Sequence, residues 1–330
     1  MNRYGKIAVL AGGPSSERQI SLKSGRAIYD ALIRKNQDAV FVDIAGDPCN
    51  ILSRINPDIV FIALHGRFGE DGTIQAMLEK SSLYYTGSGV EASRRAMDKI
   101  ASGEIFAANG IKTPRRKIVE RNHDLRDILM EFKTPFVVKP QSEGSSIGLS
   151  VIRDGSQLRD ALERAFGYGE KTIVEEYVHG REVTVGVLED RALPVVEIVA
   201  KDEVYDYGAK YEDKSTKYIV PADLKKDVYD SAQRSGLRAH NVLGCRDFSR
   251  VDMRVDGKGD IFVLEVNTIP GMTERSLLPK AASAAGISFE DLCMRLVDLA
   301  HQRRSDRGAD RRLSDCDGRR CHSSEGERPN

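Results

Sequence analysis

Short apolar runs alternate with amphipathic stretches in the N-terminal part of the chain. Lys6–Leu10, Ala39–Ile44 and Ile59–Leu64 have the length and composition of buried strands. Between the first two, Ser21–Lys35 has the apolar spacing of a helix that covers a core with one face. Strands that alternate with helices predict an α/β fold with a doubly wound parallel sheet.

Two loops of small and polar residues follow predicted strands of this sheet. They are Gly12–Glu17 and His65–Gly72. In sheets of this kind, ligands bind at the carboxyl ends of the strands. We therefore expect both loops to contribute to a binding site.

After residue 94 the pattern changes to shorter elements. A helical stretch covers Glu91–Asn109, and the strand Pro135–Pro140 leads into a loop of small residues, Gln141–Gly148. The remaining elements are the strand Leu149–Ile152, the helix Ser156–Phe166 and the strand Lys171–Glu175. This order predicts a small α+β domain over 95–180 with a glycine-rich flap.

A second α+β domain is predicted over 181–302. Residues 1–94, which precede the two α+β domains, are predicted to form the N-terminal α/β domain. A polar, tyrosine-rich stretch over 205–218 is expected to be a mobile loop. The regular elements are the strands Glu182–Leu188 and Leu193–Val199, the helix Lys225–Leu243, the hairpin Asp247–Asn267 and the helices Ser276–Ala285 and Ser288–Gln302. The segment 303–330 has almost no large apolar residues, which predicts a disordered tail.

The composition excludes several classes of protein. Lys plus Arg and Asp plus Glu both total 50, so the chain has no excess positive charge that would favour binding to nucleic acid or to an anionic membrane surface. No run of about 18 apolar residues is present, and the N-terminus lacks the features of a signal peptide. Five scattered cysteines are typical of free thiols. We expect a cytoplasmic protein, assembled as a homodimer, without nucleic-acid or membrane partners.

The hairpin Asp247–Asn267 contains the most informative polar residues. Arg250 and Asp252 share one face of the first strand, and Glu265 and Asn267 share one face of the second. The turn Asp256–Gly259 would bring the two faces to the same side. Clustered carboxylates repel one another unless a cation lies between them, and oxygen ligands suit Mg²⁺. The alternative is an ordinary solvated strand face.

Lysines near the flap suggest a phosphate site, although each signal alone is weak. Lys139 ends a strand just before Gly144–Ser146, and Lys99 lies in the helical stretch upstream. Neither a P-loop motif nor a dinucleotide fingerprint is present. The segment Glu175–Val178 could offer backbone groups to adenine, with Glu182 near a ribose; an ordinary strand end is the alternative.

The order of these motifs resembles that of the D-alanine–D-alanine ligases of the ATP-grasp superfamily. The resemblance extends from Lys6 to about Gln302 and leaves only the tail outside. The motifs that carry it are Gly12–Arg18, Ala63–Gly66 with Gly69–Gly72, Tyr85–Gly89, Met97–Lys99, Val138–Pro140, Glu143–Gly148, Tyr205–Tyr207 with Ala209–Tyr211, Arg250–Asp252, and Glu265–Thr273 with Ser276–Leu277.

The resemblance implies a three-domain ATP-grasp architecture in which two α+β domains enclose ATP. The implied ATP contacts are Lys99, Lys139, Glu143, Gly144, Ser145, Ser146, Glu175, Glu176, Tyr177, Val178 and Glu182. The implied ligands of two Mg²⁺ ions, or of Mn²⁺, are Asp252, Glu265 and Asn267. The implied substrate contacts are Glu17, His65, Lys210, Ser276 and Leu277. The implied catalytic group is Glu17, Ser145, Tyr211, Arg250, Gly271 and Ser276, with Arg250 and the Gly271 N–H as the oxyanion hole.

The implied reaction is the ATP-dependent joining of two D-alanines through an acyl-phosphate, for peptidoglycan precursors. One alternative is a related ligase that accepts D-lactate or D-serine as the second substrate. Tyr211 favours the dipeptide, since lactate-forming relatives lack a tyrosine at this loop position. The other alternative is a nucleotide-binding relative without turnover, which would have no use for an oxyanion hole.

Overall fold

The first sheet is parallel, as the alternation of strands and helices predicts. The computed structural model describes residues 3–46, 48–199 and 216–317, with side chains described up to residue 304. The strands are β1 (Ile7–Gly12), β2 (Ala39–Ile44), β3 (Ile59–Ile62) and β4 (Tyr84–Tyr85), in the order β2-β1-β3-β4. Every residue of β1 and β3 is buried because helices cover both faces of the sheet, which explains their continuous apolar runs.

Helices connect these strands and cover the sheet. They are α1 (Arg18–Arg34), α2 (Pro48–Ile55), α3 (Thr73–Lys80) and α4 (Val90–Met97). From β1 the chain first forms β2, which lies on one side of β1, and then β3, which lies on the other side of β1. The loops after β1 and β3 therefore meet at the point where the strand order reverses, where such sheets bind ligands.

One predicted helical stretch is two helices in the structure. Glu91–Asn109 is divided at Asp98 into α4 and α5 (Lys99–Ala108). Asp98 adopts extended dihedrals, and its carboxylate accepts hydrogen bonds from the N–H groups of Ile100 and Ala101. This N-cap starts a new helix and stops the old one. Prediction of a single helix was wrong because apolar spacing alone does not reveal a cap.

The second sheet is antiparallel and contains the flap. Its strands are β5 (Arg116–Glu120), β6 (Phe136–Pro140), β7 (Ser150–Ile152) and β8 (Lys171–Glu176), in the order β5-β8-β6-β7. The helices α6 (Leu125–Glu131) and α7 (Leu158–Phe166) cover one face, and a 3₁₀ turn, Gly155–Gln157, precedes α7. The flap connects β6 to the edge strand β7.

The third sheet is also antiparallel. Its strands are β9 (Arg181–Leu188), β10 (Arg191–Ala192), β11 (Val196–Val199), β12 (Lys217–Ile219), β13 (Phe248–Val255) and β14 (Ile261–Asn267). The order is β12-β11-β9-β13-β14, with β10 paired to β9, and α8 (Lys226–Val242) packs against it. The predicted strand Leu193–Val199 begins only at Val196, because Pro194 has no N–H to donate to a ladder.

The C-terminal helices are α9 (Leu277–Ala284) and α10 (Phe289–Asp317). The segment from residue 303 was predicted to be a disordered tail; α10 continues into it as far as Asp317, and the disorder of the tail stays a prediction. Arg303 donates to the carbonyl of Tyr85 at 2.7 Å and to the carboxylate of Asp247 at 2.8 Å. The low apolar content of this segment does not reveal these hydrogen bonds, because they are made by a polar side chain. Residues 318–330 lie outside the described residues.

The three sheets fall within the three predicted domains, whose boundaries remain predictions. A single apolar core joins the first sheet to α9 and α10, with Ile7, Phe61 and Leu292 fully buried in it. Within the described part of the chain, no helix combines the length and apolar character needed to cross a bilayer. Cys245 and Cys293 form no disulfide within the described part of the chain.

Candidate active site

The hairpin of β13 and β14 carries four polar side chains on one face, as the sequence predicts. Its register pairs Arg250 with Asn267 and Asp252 with Glu265. The ladder becomes irregular only after Asp252, on the side of the turn. The polar groups therefore converge because alternate residues of a strand point to the same side.

Asp252 is the centre of this group and is largely buried. Its carboxylate accepts hydrogen bonds from Nε and Nη2 of Arg250, at 2.8 and 2.6 Å. It also accepts from Nδ2 of Asn267 at 3.0 Å and from the Thr184 hydroxyl at 2.7 Å. Sequence analysis missed Thr184, which lies beside Asp252 on β9. A buried threonine in a strand is too common to single out without knowing its neighbour.

Lys99 connects the hairpin to the flap. Its Nζ lies 3.1 Å from Oε2 of Glu265 and donates to the carbonyl of Glu143 at 2.6 Å. The lysine is almost fully buried, so its charge is poorly hydrated and needs these partners. Lys99 is the first residue of α5 because Asp98 caps this helix. This place in the helix directs the Lys99 side chain toward the third sheet.

Lys139 is the second buried cation. Its Nζ lies 2.7 Å from Oε2 of Glu175, and both side chains are less than a tenth exposed. The pair connects β6 to the neighbouring β8. The sequence predicted both residues near ATP; the structure adds that they are bonded to each other.

A cleft of about 130 Å³ opens between the second and third sheets. Its walls include nine of the eleven predicted ATP contacts: Lys99, Lys139, Glu143, Ser146, Glu175, Glu176, Tyr177, Val178 and Glu182. The other two, Gly144 and Ser145, line a neighbouring cavity.

Arg254 organises the hinge between β8 and β9, and sequence analysis missed it. Its guanidinium donates to the carbonyls of Val178 and Gly180, at 3.2 and 3.0 Å, and to Glu182 at 3.1 Å. It also lies over the ring of Tyr177, 5.5 Å from the centroid. Its position could have indicated a role in the site, since Arg254 lies two residues after Asp252 on the same face of β13.

A second, larger cavity of about 770 Å³ lies between the first and third sheets. The predicted substrate and catalytic residues in its wall are Glu17, His65, Ser145, Arg250, Gly271, Ser276 and Leu277. Across the cavity the Ser145 hydroxyl donates to the Glu17 carboxylate. Ser145 and Ser146 both have positive φ, 49° and 59°, an uncommon conformation that concentrates at functional loops.

His65 is buried, and both of its ring nitrogens have protein partners. Nδ1 lies 2.8 Å from the carbonyl oxygen of Ile269, and Nε2 lies 3.1 Å from Oγ of Ser24. Burial lowers the pKa of His65, and this outweighs the opposing charge of Glu17. Sequence analysis did not single out Ser24, which lies inside the predicted helix.

Glu70 is a second carboxyl group in this cavity, and sequence analysis gave it no role of its own. It accepts hydrogen bonds from the N–H groups of Gly66, at 2.8 Å, and Ile269, at 3.2 Å. Loss of hydration raises the pKa of Glu70 to about 8, and the charge of Glu17 acts in the same direction. The side chain thus connects the loop after β3 to the loop after β14.

The loop after β14 brings Gly271 and Ser276 together. A Cβ at Gly271 would lie 3.0 Å from Oγ of Ser276, so a larger residue would crowd this hydroxyl. Ser276 accepts from the Thr273 N–H at 3.1 Å just before α9 begins at Leu277. Leu277 itself is buried in the shared core.

A small cavity of about 20 Å³ lies between the two larger ones. It shares Lys99, Glu143 and Glu265 with the cleft, and it shares Glu70, Gly144 and Asn267 with the second cavity. A phosphate held in the cleft and a molecule held in the second cavity would therefore meet at this small cavity.

The polar face of the hairpin offers oxygen donors to a divalent cation. Among the described residues no group of three or more His, Cys, Asp or Glu could hold a metal alone. Asp252 and Glu265 with the amide oxygen of Asn267 fit Mg²⁺ or Mn²⁺ when substrate phosphates and water supply further ligands. Arg250 and Lys99 neutralise the two carboxylates in the structure described here.

Two predicted residues, Lys210 and Tyr211, lie outside the described residues, together with most of the predicted loop over 205–218. The grip of Lys210 on a carboxylate and the link from Tyr211 to Ser145 and Glu17 remain predictions. The structure brings together the other predicted residues in the two cavities and their connection.

Comparison with known proteins identifies relatives of this arrangement. The family model described as D-ala D-ala ligase C-terminus matches residues 106–298, and the one described as D-ala D-ala ligase N-terminus matches residues 48–88. The D-alanine–D-alanine ligase of Citrifermentans bemidjiense is 47% identical over 295 residues, which cover 89% of this chain and 96% of that protein. That of Geotalea uraniireducens is 46% identical over 295 residues, 89% of this chain and 95% of that protein.

Solved structures give the same result. The Bacillus anthracis D-alanine–D-alanine ligase complexed with ATP has a TM-score of 0.81 at 32% identity, and covers 92% of this chain and 99% of its own. The D-Ala:D-Ser ligase of Enterococcus faecalis has a TM-score of 0.78 at 30% identity, covering 90% of this chain and 99% of its own. The architecture thus agrees with the predicted ATP-grasp fold.

Proposed function

Because this chain belongs to the D-alanine–D-alanine ligase family, we propose that it joins two D-alanines in an ATP-dependent reaction that supplies peptidoglycan precursors. The observation that carries this function is the small cavity between the two larger ones, lined by Lys99, Glu265 and Asn267. A carboxylate in the second cavity can meet a phosphate from the cleft there. The alternatives, D-lactate or D-serine as second substrate or a protein without turnover, are not favoured by relatives named D-alanine–D-alanine ligase.

ATP would lie in the cleft between the second and third sheets. The segment Glu176–Val178 offers backbone groups to adenine, and Glu182 accepts from a ribose hydroxyl. The phosphates would meet Lys139 and Lys99, which exchange their present carboxylate partners for phosphate oxygens. Glu143, Gly144 and Ser146 belong to the flap that covers the triphosphate.

The first step activates a carboxylate. One oxygen of the first D-alanine attacks the γ-phosphorus, the bond from that phosphorus to the β-γ bridging oxygen breaks, and ADP leaves. This transfer depends on positioning and on neutralising charge, which the two lysines provide. Glu17 holds the ammonium group of the first D-alanine, and the Ser145 hydroxyl orients the Glu17 carboxylate.

Asp252, Glu265 and Asn267 would hold two divalent cations, Mg²⁺ or Mn²⁺. When bound, these ions supply positive charge that neutralises the phosphates. In the structure Asp252 is bonded to Arg250 and Glu265 to Lys99. Cations at these carboxylates would leave Arg250 and Lys99 free to contact the substrates.

The second step forms the peptide bond. The neutral amine of the second D-alanine attacks the acyl carbon, the carbonyl becomes an oxyanion, and phosphate leaves with the proton lost by the nitrogen as the carbonyl reforms. Arg250 and the Gly271 N–H donate to the oxyanion. Ser276, with Lys210 and Leu277, would hold the second D-alanine, and Tyr211 would close the site over Ser145 and Glu17.

The setting of the enzyme belongs to the same proposal. A ligase that consumes ATP and keeps its cysteines reduced is expected in the cytoplasm. The family resemblance also leads us to propose a homodimer, for which sedimentation equilibrium should give twice the chain mass.

A direct assay tests this function. Purified protein, ATP and Mg²⁺ are combined with D-alanine, and ADP release and product mass are measured. Parallel reactions add D-lactate or D-serine to D-alanine, or contain L-alanine only. We expect D-alanyl-D-alanine as the main product at neutral pH, with no turnover on L-alanine alone. Folded protein that releases no ADP with D-alanine would refute the proposal, and a mainly mixed product would refute only the identity of the second substrate.

A further inference from the structure

The loop that contains Gly271 is held by side chains from the first domain. On one side of the glycine, the Ile269 N–H donates to Glu70 at 3.2 Å, and the Ile269 carbonyl lies 2.8 Å from Nδ1 of His65. On the other side, the Met272 N–H donates to Oγ of Ser24 at 3.2 Å. Gly271 therefore lies between Ile269 and Met272, whose backbone groups are hydrogen-bonded to side chains of the first domain.

The chemistry of the acceptors fixes the direction of these hydrogen bonds. A carbonyl oxygen only accepts, so Nδ1 of His65 must carry the hydrogen that points to Ile269. In the neutral ring Nε2 then has a lone pair, and the Ser24 hydroxyl donates to it. The Ser24 oxygen keeps lone pairs for the Met272 N–H. Each of these groups therefore has a partner of the right kind.

Burial makes this chain of bonds stiff. Ser24 is fully buried, and His65, Ile269 and Met272 are each no more than 5% exposed. Water does not replace a lost partner readily at such a depth, and hydrogen bonds are stronger in a low dielectric. A change at Ser24 should therefore reach Met272 and His65 together.

We propose that Ser24 is a positioning residue: its hydroxyl holds the His65 ring and the Met272 N–H, and thereby sets the direction of the Gly271 N–H. This inference rests on the proposed function, in which that N–H stabilises the oxyanion. An oxyanion donor acts only when it points to where the charge develops, and small displacements reduce the rate strongly. Ser24 lies in the wall of the second cavity, but its hydroxyl is committed to the His65 ring and the Met272 N–H, so it acts through these neighbours.

Ser21 provides a matched control on the same helix. Its hydroxyl is also fully buried and has two backbone partners, accepting from the Gly12 N–H at 2.8 Å and donating to the Ala63 carbonyl at 2.7 Å. Neither partner belongs to the loop after β14. Ser21→Ala and Ser24→Ala thus remove equivalent groups, and only the second removal affects that loop.

The kinetic test compares these variants at a temperature where circular dichroism shows both folded. Ser24→Ala should lower kcat for ligation by roughly tenfold to a hundredfold with KM for ATP within about twofold. Ser21→Ala should keep kcat within about threefold. Exchange of the ¹⁸O label between bridge and non-bridge positions of ATP, with D-alanine present, reports acyl-phosphate formation. It should be retained in Ser24→Ala, because the oxyanion forms only in the second step.

A spectroscopic test does not depend on activity. The ¹⁵N resonances of the His65 ring should show the neutral Nδ1–H form in the wild type and in Ser21→Ala. In Ser24→Ala the Nε2 resonance should shift, because its hydrogen-bond donor is gone. If Ser24→Ala does not fold, Ser24→Cys keeps a weaker donor and should show smaller changes in the same direction.

The outcomes separate the two proposals. Equal kcat for Ser24→Ala and Ser21→Ala in an enzyme that ligates, or an unchanged Nε2 resonance, would overturn this inference alone. A wild-type protein that forms no D-alanyl-D-alanine would overturn the proposed function and the role of Ser24 with it.

Discussion

Glu70 illustrates how surroundings change a residue's chemistry. Its ordinary pKa is 4.5, and burial with the nearby charge of Glu17 raises it to about 8. Between these values the folded protein keeps a proton that the unfolded chain has lost. The contribution of this group to stability is therefore fully present below pH 4.5 and disappears as the pH rises toward 8.

Glu70→Gln should remove this pH dependence. We expect the free energy of unfolding of the wild type, relative to the variant, to fall by roughly 1–3 kcal/mol between pH 5 and 8.5. This energy is smaller than the full pKa shift would give, because part of the side chain faces the cavity. Urea unfolding at several pH values measures the difference. Parallel curves for the two proteins would show that the pKa of Glu70 is not raised.

Glu265→Gln tests the proposed cation site. We expect ligation to fall by about a hundredfold or more, because a charge that would face the cations is lost, while the fold persists. Glu91→Gln is the control, since this carboxylate is exposed on α4, where it pairs with Arg94. Turnover with increasing Mg²⁺ measures the effect. Near-normal turnover of folded Glu265→Gln would eliminate Glu265 as a ligand.

At the scale of elements, β13 serves both ends of the site. Arg250 lines the second cavity and Asp252 lines the cleft, while Arg254 holds the segment that connects β8 to β9. Regular alternation along one strand thus relates the reacting groups to the nucleotide cleft.

Arg254→Met should weaken ATP binding more than it slows turnover. Its guanidinium fixes the Val178 carbonyl and Glu182, both in the wall of the cleft, and charge-assisted hydrogen bonds are worth about 1.5–3 kcal/mol each. We expect KM for ATP to rise about tenfold with kcat within about threefold. Lys258→Met, at the exposed turn of the same hairpin, is the control. An unchanged KM for ATP would contradict this role.

At the scale of the whole molecule, α10 fastens the first sheet to the third. Arg303 reaches Tyr85 at the end of β4 and Asp247 just before β13, and the Gly87 N–H donates to the same carboxylate at 2.7 Å. The Asp247 side chain is only 3% exposed, so its charge depends on these partners. The second cavity lies between the same two sheets, so the fastening fixes its walls.

Arg303→Met and Arg304→Met form a matched pair for this fastening. Arg303→Met leaves a buried carboxylate without its cation and should reduce the free energy of unfolding by about 3 kcal/mol or more. Arg304 pairs with Asp58 at a much more exposed position, so its loss should reduce it by less than about 1 kcal/mol. Chemical denaturation measures both. Equal effects would show that the Arg303 contact does not stabilise the protein.

Local patterns in the sequence were sufficient for the long buried strands, most helices and the polar face of the hairpin, but they did not predict β4, β5, β10 or β12. The register of β13 and β14 follows from a turn and the alternation of side chains, both of which act over a few residues. The same holds for the lysine that ends β6 and the small residues of the flap. The motif order then indicated the family, and with it the residues of both cavities.

Only the tertiary structure decided which residues outside those motifs support the site. Ser24 and Met272 are 248 positions apart, and Arg303 is 218 positions from Tyr85. Thr184, Glu70 and Arg254 are ordinary in their local sequence and become significant through a partner on another element. Local propensity specifies an element, but the role of a buried polar side chain depends on which group the fold brings within about 3 Å of it.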